Sequence, residues 1–323
     1  MHIPDGFLDA KTAVATGALA AAGLGLALRQ ARLHLPPRRV PLLGLAAAFV
    51  FAAQMINFPV AGGTSGHMIG AVLVAALLGP SAAVIVLSSV LIVQCLMFAD
   101  GGISALGANI FNMGILGGVG GWAIYYAVSR TVKGLFGRIL AATFAAWCST
   151  VLAAVACAGE LAVSRTVGWS VGLPAMASVH MLIGVGEALI TGLVLVAIAR
   201  TRPELVQPEA DEKTAPAYGA VLAYGTLVTL GLALFVSPFA SKWPDGLDKT
   251  AELLGFKGKA VAPVLLSPMA DYEFPGVPWG ALGTSFAGAA GALLVFVLAW
   301  VLARSLVPKK RAGGGSAASG SAP

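Results

Sequence analysis

Long apolar runs, separated by short polar or basic segments, recur along most of the chain. Most of the runs are about 18–25 residues long, which is enough for a helix to cross the hydrocarbon core of a bilayer. The pattern predicts seven spans in the first part of the chain and two more after a polar segment. The third span is short and flanked by glycines, so its ends are the least defined. The predicted spans are residues 12–28, 40–60, 67–79, 81–98, 103–128, 139–162, 173–199, 217–237 and 278–303.

The composition supports an integral membrane protein. Of the 323 residues, 58% are hydrophobic and only 11% are charged, and the 41 glycines suit closely packed membrane helices. The three cysteines, Cys95, Cys148 and Cys157, lie inside apolar runs without a CxxC pair, so we interpret them as small buried hydrophobic residues. No basic segment precedes the first apolar run, and we expect no cleavable signal peptide. The predicted fold class is an all-α membrane protein: a bundle of about seven helices followed by a two-helix transmembrane hairpin.

The positions of the basic residues predict the orientation of the chain. With the N-terminus outside, the cytoplasmic side receives fourteen of the 20 Lys and Arg residues: Arg29, Arg32, Arg38, Arg39, Arg130, Lys133, Arg138, Arg200, Arg202, Lys213, Arg304, Lys309, Lys310 and Arg311. The positive-inside rule favours this orientation, with the C-terminus in the cytoplasm. The net charge of +6 is therefore a signal of topology rather than a nucleic-acid surface. We expect a multi-pass protein of a bacterial cytoplasmic (inner) membrane, surrounded by the lipid bilayer.

The first two residues offer an unusual set of metal ligands. Met1-His2 presents the α-amine, the His2 amide and the His2 imidazole, which together can close two chelate rings around one ion. These three nitrogens leave a fourth position in the plane, and His67 is the best candidate for it because it is predicted to lie on the same side of the membrane. Square-planar nitrogen sites suit Ni²⁺ and Cu²⁺. The alternatives are a disordered N-terminus and a plain external turn with one exposed histidine.

Five further polar residues are candidates for supporting these ligands. Asn109 and Asn112 are three residues apart, and His180 and Glu187 are seven apart, so each pair is predicted to share a helix face. Glu187 is predicted to lie deep in the membrane, where an ionisable group is costly and is paired or functional. Ser65 precedes His67 in a glycine-rich loop. For all five, the alternative to a supporting role beside the metal is a purely structural one.

A polar, proline-containing stretch divides the chain into two units. Residues 1–200 form the predicted metal-binding unit, and 201–216 form a cytoplasmic linker. Residues 217–305 form a two-span unit with an external loop of about 40 residues. The Gly/Ser-rich residues 306–323 are predicted to be a disordered tail.

Several short motifs together resemble one transporter family. They are Met1-His2-Ile3-Pro4-Asp5-Gly6, Thr64-Ser65-Gly66-His67, Asp100-Gly101-Gly102, Ala105-Leu106-Gly107-Ala108-Asn109, the stretch from His180 to Glu187, and Pro244-Asp245-Gly246-Leu247-Asp248. The chain resembles the substrate-binding component of nickel/cobalt energy-coupling-factor (ECF) transporters, the NikM/CbiM family, fused to its small NikN/CbiN companion. Asp248 stands where the companion's motif has Glu.

The resemblance implies ligands and partners. In that family the metal is held by the N-terminal amine, the backbone and ring nitrogens of the second residue, and a histidine after the second span, which correspond to Met1, His2 and His67. The partners would be a transmembrane coupling (T) subunit of the NikQ/CbiQ type and cytoplasmic ATPases of the NikO/CbiO type. This chain has no GxxxxGK[ST] phosphate loop, so ATP hydrolysis is expected of the partners.

The predicted function is capture of a transition-metal ion, most favourably Ni²⁺, for ATP-driven import, with no prosthetic group. Cobalt, as for vitamin B12 synthesis, is the alternative substrate. A membrane-embedded metalloenzyme using His67, His180 and Glu187 is less favoured because no HExxH motif is present. A passive channel is also less favoured, because only Glu187 lies deep among the predicted spans.

Overall fold

The computed structural model describes residues 1–206 and 218–306. The predicted tail at 306–323 lies outside these residues except for Leu306, and most of the predicted linker lies outside them too. Eleven α-helices are present in the described parts of the chain: α1 Ala10–His34, α2 Val40–Gln54, α3 Ala71–Leu78, α4 Pro80–Phe98, α5 Leu106–Asn109, α6 Gly121–Ser129, α7 Gly134–Val163, α8 Trp169–Thr201, α9 Gly219–Gly231, α10 Gly246–Leu253 and α11 Gly280–Leu306.

Short elements complete this framework. Two strands, β1 Phe58–Val60 and β2 Thr64–Gly66, pair antiparallel with Pro59 opposite Ser65. Stretches with π-helical hydrogen bonding, Ile110–Gly120 and Leu232–Val236, join α5 to α6 and extend α9. Single 3₁₀ turns occur at Pro37–Arg39, Pro203–Leu205, Ser237–Phe239, Lys257–Lys259 and Ala270–Tyr272.

The prediction of an all-α membrane protein is confirmed. Within residues 1–206 and 218–306, six helices are long and apolar enough to cross a membrane: Ala10–His34, Pro80–Phe98, Gly134–Val163, Trp169–Thr201, Gly219–Phe239 and Gly280–Leu306. The other three predicted spans, 40–60, 67–79 and 103–128, fall on helices that are shorter or interrupted. The apolar pattern therefore identified the membrane class and most of the helices.

The third predicted span, 67–79, is only partly helical. Residues 67–70 form a buried non-helical segment, and α3 follows with eight residues, about 12 Å of helix, too short to cross a bilayer alone. Glycines set both ends of α3: Gly70 precedes it at φ +76° and Gly79 ends it at φ +93°. Pro80 then begins α4, where a missing backbone N–H is tolerated.

The end of the second predicted span also differs from the structure. Helix α2 ends at Gln54, and the chain turns into the β1–β2 hairpin instead of continuing to residue 60. Gly62 and Gly63, both with positive φ, allow the turn of this hairpin. The hairpin and the segment after it carry His67 into the bundle.

The C-terminal segment, residues 218–306, packs directly against the first part of the chain. Helix α11 lies along α2, and the contact is close because Gly291 leaves room for the ring of Phe51. The connecting segment, residues 240–279, links the two long C-terminal helices. Within it, α10 packs against α8, and Asp245 forms an isolated parallel bridge with Ser65 of β2. This packing brings the connecting segment beside the N-terminus.

Candidate metal centre

The α-amine of Met1 lies against the ring of His67 inside the bundle. The amine nitrogen is 2.7 Å from His67 Nε2, and the two residues are 5% and 7% exposed. His67 Nδ1 is 3.1 Å from the carbonyl oxygen of Met68, and donation from Nδ1 leaves the Nε2 lone pair facing the amine. Neighbouring ligands at right angles around an ion with metal–nitrogen bonds of about 2.0–2.1 Å are roughly 2.9 Å apart. The two nitrogens are therefore spaced as adjacent ligands of one metal would be.

Electrostatics keep the His67 ring neutral. His67 lies in the buried segment before α3, and burial lowers its pKa to about 3, with the neighbouring Met1 amine and His2 acting in the same direction. A ligand histidine must be unprotonated, so the position of this ring favours metal binding at neutral pH.

His2 completes the cluster, but both of its ring nitrogens contact other side chains. The ring stacks on that of His67 with centroids 5.1 Å apart. Its Nδ1 lies 3.1 Å from Asp100 Oδ1, and its Nε2 lies 3.2 Å from Gln94 Oε1. Chelation together with its own amide requires Nδ1, the nitrogen nearer the backbone. A metal would therefore have to take Nδ1 from Asp100.

The N-terminal segment is held by a dense set of hydrogen bonds. The backbone N–H of Ile3 donates to Asn109 Oδ1 at 2.8 Å, and the carbonyl oxygen of Ile3 accepts from Asn109 Nδ2 at 3.2 Å and from the Gly102 N–H at 2.9 Å. Asp5 Oδ1 accepts from the N–H and hydroxyl of Ser104 at 2.8 and 2.6 Å. The structure thus shows a docked N-terminus rather than a disordered one.

Asn112 does not join Asn109 at this segment. Its Nδ2 donates instead to Glu160 Oε2 of α7 at 2.7 Å, which matches the structural alternative for this residue. The two asparagines therefore have different partners, and between them the helix changes to π-type hydrogen bonding at Ile110. A wider turn rotates the next residues away from the face that a 3.6-residue repeat predicts.

Glu187 supports the segment that carries His67. Its carboxylate, fully buried, accepts from the N–H groups of Ile69 at 2.5 Å and Gly70 at 2.9 Å. Gln54 Nε2 donates to the carbonyl oxygen of Ile69 at 3.0 Å. These bonds satisfy the buried backbone just after His67, so Glu187 acts on the loop and does not touch the predicted ligands.

Ser65 contacts the connecting segment, whereas His180 lies beside Met1 and His67. The hydroxyl of Ser65 donates to the carbonyl oxygen of Trp243 at 2.7 Å, which ties β2 to the connecting segment. His180 Nδ1 bonds the carbonyl oxygen of Met176 at 2.8 Å, and its buried Nε2 has no partner among residues 1–206 and 218–306. His180 lines a small cavity together with Met1, His67 and Asp245.

Sequence reasoning missed four residues around this cluster. Asp245 Oδ2 lies 2.9 Å from the Met1 amine. The hydroxyl of Tyr272 donates to Asp100 Oδ2 at 2.6 Å, and Gln94 Nε2 donates to that hydroxyl at 3.2 Å. Asp100 and Asp245 fall in motifs noted above, but no spacing rule links either of them to residue 1. Gln94 was detectable only as a polar residue within an apolar run.

Both carboxylates are held in their charged form. Burial alone would raise the pKa of Asp245, but the neighbouring Met1 amine holds it well below the ordinary value. Burial likewise opposes ionisation of Asp100, and His2 outweighs it, so the pKa of Asp100 is also well below its usual range. The cluster therefore combines nitrogen donors with two negative charges.

The centre is not an ordinary side-chain metal site. In the described part of the chain, no three His, Cys, Asp or Glu side chains are grouped as they would be to hold a metal. Two of the four candidate ligands are instead main-chain nitrogens, the amine of Met1 and the amide of His2. A metal bound by this set of ligands would depend on the docking of the N-terminal residue.

Comparisons with known proteins agree with the motifs. Residues 2–205 match the family model described as the cobalt uptake substrate-specific transmembrane region, CbiM, and residues 219–307 match the PDGLE domain. The chain is 36% identical over 307 residues to the putative fused nickel transport protein NikMN of Archaeoglobus fulgidus, covering 94% of this chain and 98% of that protein. It is 34% identical over 251 residues to the fused nickel transport protein NikMN of Rhodobacter capsulatus, covering 72% of each chain.

A cobalt transporter and a solved structure are also similar. The cobalt transport protein CbiM of Geobacter sulfurreducens is 30% identical over 266 residues, covering 77% of this chain and 76% of that protein. A crystal structure of a truncated transition metal transporter superposes with a TM-score of 0.57 at 35% identity, covering 62% of this chain and 99% of that one. The chain therefore belongs to the CbiM/NikM family of substrate-specific transmembrane components of nickel and cobalt transport, in the fused form that continues into a PDGLE domain.

Proposed function

We propose that this chain captures Ni²⁺ through the Met1 amine, the amide and ring Nδ1 of His2, and His67 Nε2. The observation that carries the proposal is the 2.7 Å approach of the Met1 amine to His67 Nε2, with the lone pair of the imidazole facing the amine. On binding, the His2 ring leaves Asp100 and turns Nδ1 towards the amine. Four nitrogens, one of them a deprotonated amide, disfavour Mg²⁺ and Ca²⁺, which prefer oxygen ligands.

Nickel is favoured over cobalt on two grounds. A planar nitrogen field suits Ni²⁺. The relatives that carry both parts of this chain, from Archaeoglobus fulgidus and Rhodobacter capsulatus, are named as nickel transport proteins. Cobalt is the alternative, because the Geobacter sulfurreducens relative is named for it. Metal analysis of the purified chain after growth with both metals supplied together decides between them.

The proposed setting is an ECF importer in a bacterial cytoplasmic membrane. A transmembrane coupling subunit of the NikQ/CbiQ type and ATPases of the NikO/CbiO type would supply the movement and the ATP hydrolysis. The metal centre would face outwards, with the N-terminus outside. Uptake of Ni²⁺ that depends on cytoplasmic ATP supports this role, whereas ATP-independent conductance contradicts it.

The metal site itself is tested by inserting one alanine between Met1 and His2. The insertion enlarges the first chelate ring and moves the amine away from His67, so we expect Ni²⁺ affinity to fall by more than about 100-fold, beyond the usual loss for a residue behind the ligands. Isothermal titration of the purified chain measures the affinity. The control is an alanine inserted between Gly276 and Val277, in an exposed turn of the connecting segment. Unchanged affinity in the Met1–His2 variant would rule out the site.

A further inference from the structure

The connecting segment places one carboxylate at the metal centre. The two oxygens of Asp245 have separate partners: Oδ2 lies 2.9 Å from the Met1 amine, and Oδ1 accepts from the Asp248 N–H at 2.8 Å, capping α10. The side chain is 23% exposed, whereas Met1 is 3% exposed at its own side chain. Asp245 is therefore the more exposed partner of a contact in which Met1 is almost closed off from solvent.

The backbone around Asp245 is fixed on both sides. The Ser65 N–H donates to the carbonyl oxygen of Pro244 at 2.9 Å. On the other side, Gly246 packs so closely on α8 that a Cβ there would lie 2.9 Å from His180 Nε2. The carboxylate is thus held at the amine by the fold rather than by the ion pair alone.

A second residue of the connecting segment acts on His2 through Asp100. The Tyr272 hydroxyl donates to Asp100 Oδ2, and the other oxygen of Asp100 lies 3.1 Å from His2 Nδ1. The Tyr272 ring stacks on Phe98 with centroids 4.7 Å apart. Tyr272 and Asp271 both have positive φ, 60° and 53°, a conformation that is unfavourable for these residues and persists only where the surroundings hold it.

The charge of a loaded centre explains why a carboxylate is useful there. A divalent ion bound by three neutral nitrogens and one deprotonated amide keeps a net charge of about +1, in a pocket where Met1 and His67 are almost closed off from water. An uncompensated buried charge is strongly unfavourable. Asp245 lies beside the amine ligand, so its negative charge acts directly on that net positive charge.

We propose that Asp245 and Tyr272 are positioning residues of the metal centre, supplied by the C-terminal segment. Asp245 keeps the amine beside His67 and offsets the charge of the bound ion, while Tyr272 keeps the Asp100 carboxylate hydrogen-bonded once His2 Nδ1 has left it for the metal. This inference rests on the proposed function and extends the metal centre across both parts of the chain. The C-terminal segment thereby determines how tightly the metal is held.

The test compares two substitutions of Asp245 with opposite effects on charge and capping. Asn caps helices as well as Asp does, so Asp245→Asn keeps α10 but removes the charge. Asp245→Glu keeps the charge but is a poorer cap. We expect Asp245→Asn to weaken Ni²⁺ binding about 10-fold or more and Asp245→Glu to recover part of that loss. If Asp245 served only as a cap, the order of the two variants would be reversed.

Tyr272→Phe is the companion variant. It keeps the ring on Phe98 and loses only the hydroxyl, and we expect Ni²⁺ affinity to fall about 10-fold. In both Asp245→Asn and Tyr272→Phe, the absorption spectrum of bound Ni²⁺ should stay that of the wild type, because the four nitrogens are unchanged. The matched controls are Asp9→Asn, which changes the cap of α1 away from the centre, and Tyr126→Phe, which changes a tyrosine stacked on Trp122.

The outcomes separate this inference from the proposed function. In one outcome, Asp245→Asn and Tyr272→Phe bind Ni²⁺ as tightly as their controls, and the Met1–His2 insertion abolishes binding. That result would overturn the inference but would leave the proposed metal site intact. If the insertion variant also binds as the wild type does, the proposed function itself fails.

Discussion

Glu187 shows how a buried carboxyl group supports a candidate site that it does not touch. Both of its oxygens accept backbone N–H groups from the loop that follows His67. Glu187→Ala would leave two buried N–H groups without partners, and each costs about 1–3 kcal/mol. We therefore expect the substitution to lower the free energy of unfolding by about 2–5 kcal/mol and to weaken Ni²⁺ binding through His67. Thermal unfolding in detergent and titration measure the two effects. Glu252→Ala, at an exposed position on α10, is the control and should change neither; equal behaviour of the two variants would contradict the assigned role.

Individual residues also show which parts of the candidate site can be predicted from the sequence. Met1 and His2 could be proposed as ligands from the sequence because a chelate ring is a local property of adjacent residues. His67 followed from its predicted side of the membrane. Asp245 lies more than 200 residues from Met1, and only the packing of α10 on α8 brings its carboxylate to the amine. The contact between His2 and Asp100 could not be predicted either, because the order of residues does not determine how a side chain is rotated.

At the scale of secondary-structure elements, the apolar runs predicted where helices occur more accurately than where each helix begins and ends. Helices α1, α7 and α8 cover their predicted spans and extend beyond them. The errors lie at residues 55–60 and 67–70, where non-helical segments that include apolar residues adjoin helices α2 and α3. Membrane burial selects apolar residues whatever the backbone conformation, so hydropathy alone did not place the ends of these two helices.

The contact between α1 and α5 gives an element-scale prediction. Gly107 packs on the backbone of Gly17, and a Cβ at Gly107 would lie 2.8 Å from the Gly17 nitrogen. Gly107→Ala should push α5 from α1 and displace Asn109, which holds Ile3. We expect a loss of about 1–3 kcal/mol in the free energy of unfolding, together with weaker Ni²⁺ binding. In Gly25→Ala of α1 the new methyl group meets open space, so stability should be unchanged or slightly higher. Chemical unfolding of both variants provides the comparison, and equal stabilities would contradict the prediction.

For the whole molecule, the sequence predicted a C-terminal hairpin with a long loop but not where the loop would lie. The loop's acidic residues are nearly balanced by Lys242, Lys249, Lys257 and Lys259. The charge of the loop therefore did not predict which part of the protein it contacts. The decisive contacts are backbone bonds to β2 and glycine contacts with α8. Such contacts depend on shape rather than on residue type.

The predicted orientation is testable on intact cells. A membrane-impermeant maleimide should label Leu266→Cys, because Leu266 is fully exposed in the connecting segment, and should spare Lys133→Cys until the membrane is opened. The background should carry Cys148→Ala, since Cys148 is partly exposed. The expectation follows from the distribution of basic residues. Labelling of Lys133→Cys alone in intact cells would mean that the orientation is reversed.

The enclosure of Met1 has a practical consequence for anyone who handles proteins of this kind. A reporter or purification handle fused ahead of Met1 turns its amine into an amide and adds a chain at a residue that is only 5% exposed. If the amine binds the metal as proposed, a screen that attaches its reporter at that end would score this chain as inert. The same reporter fused at the opposite end leaves the amine untouched.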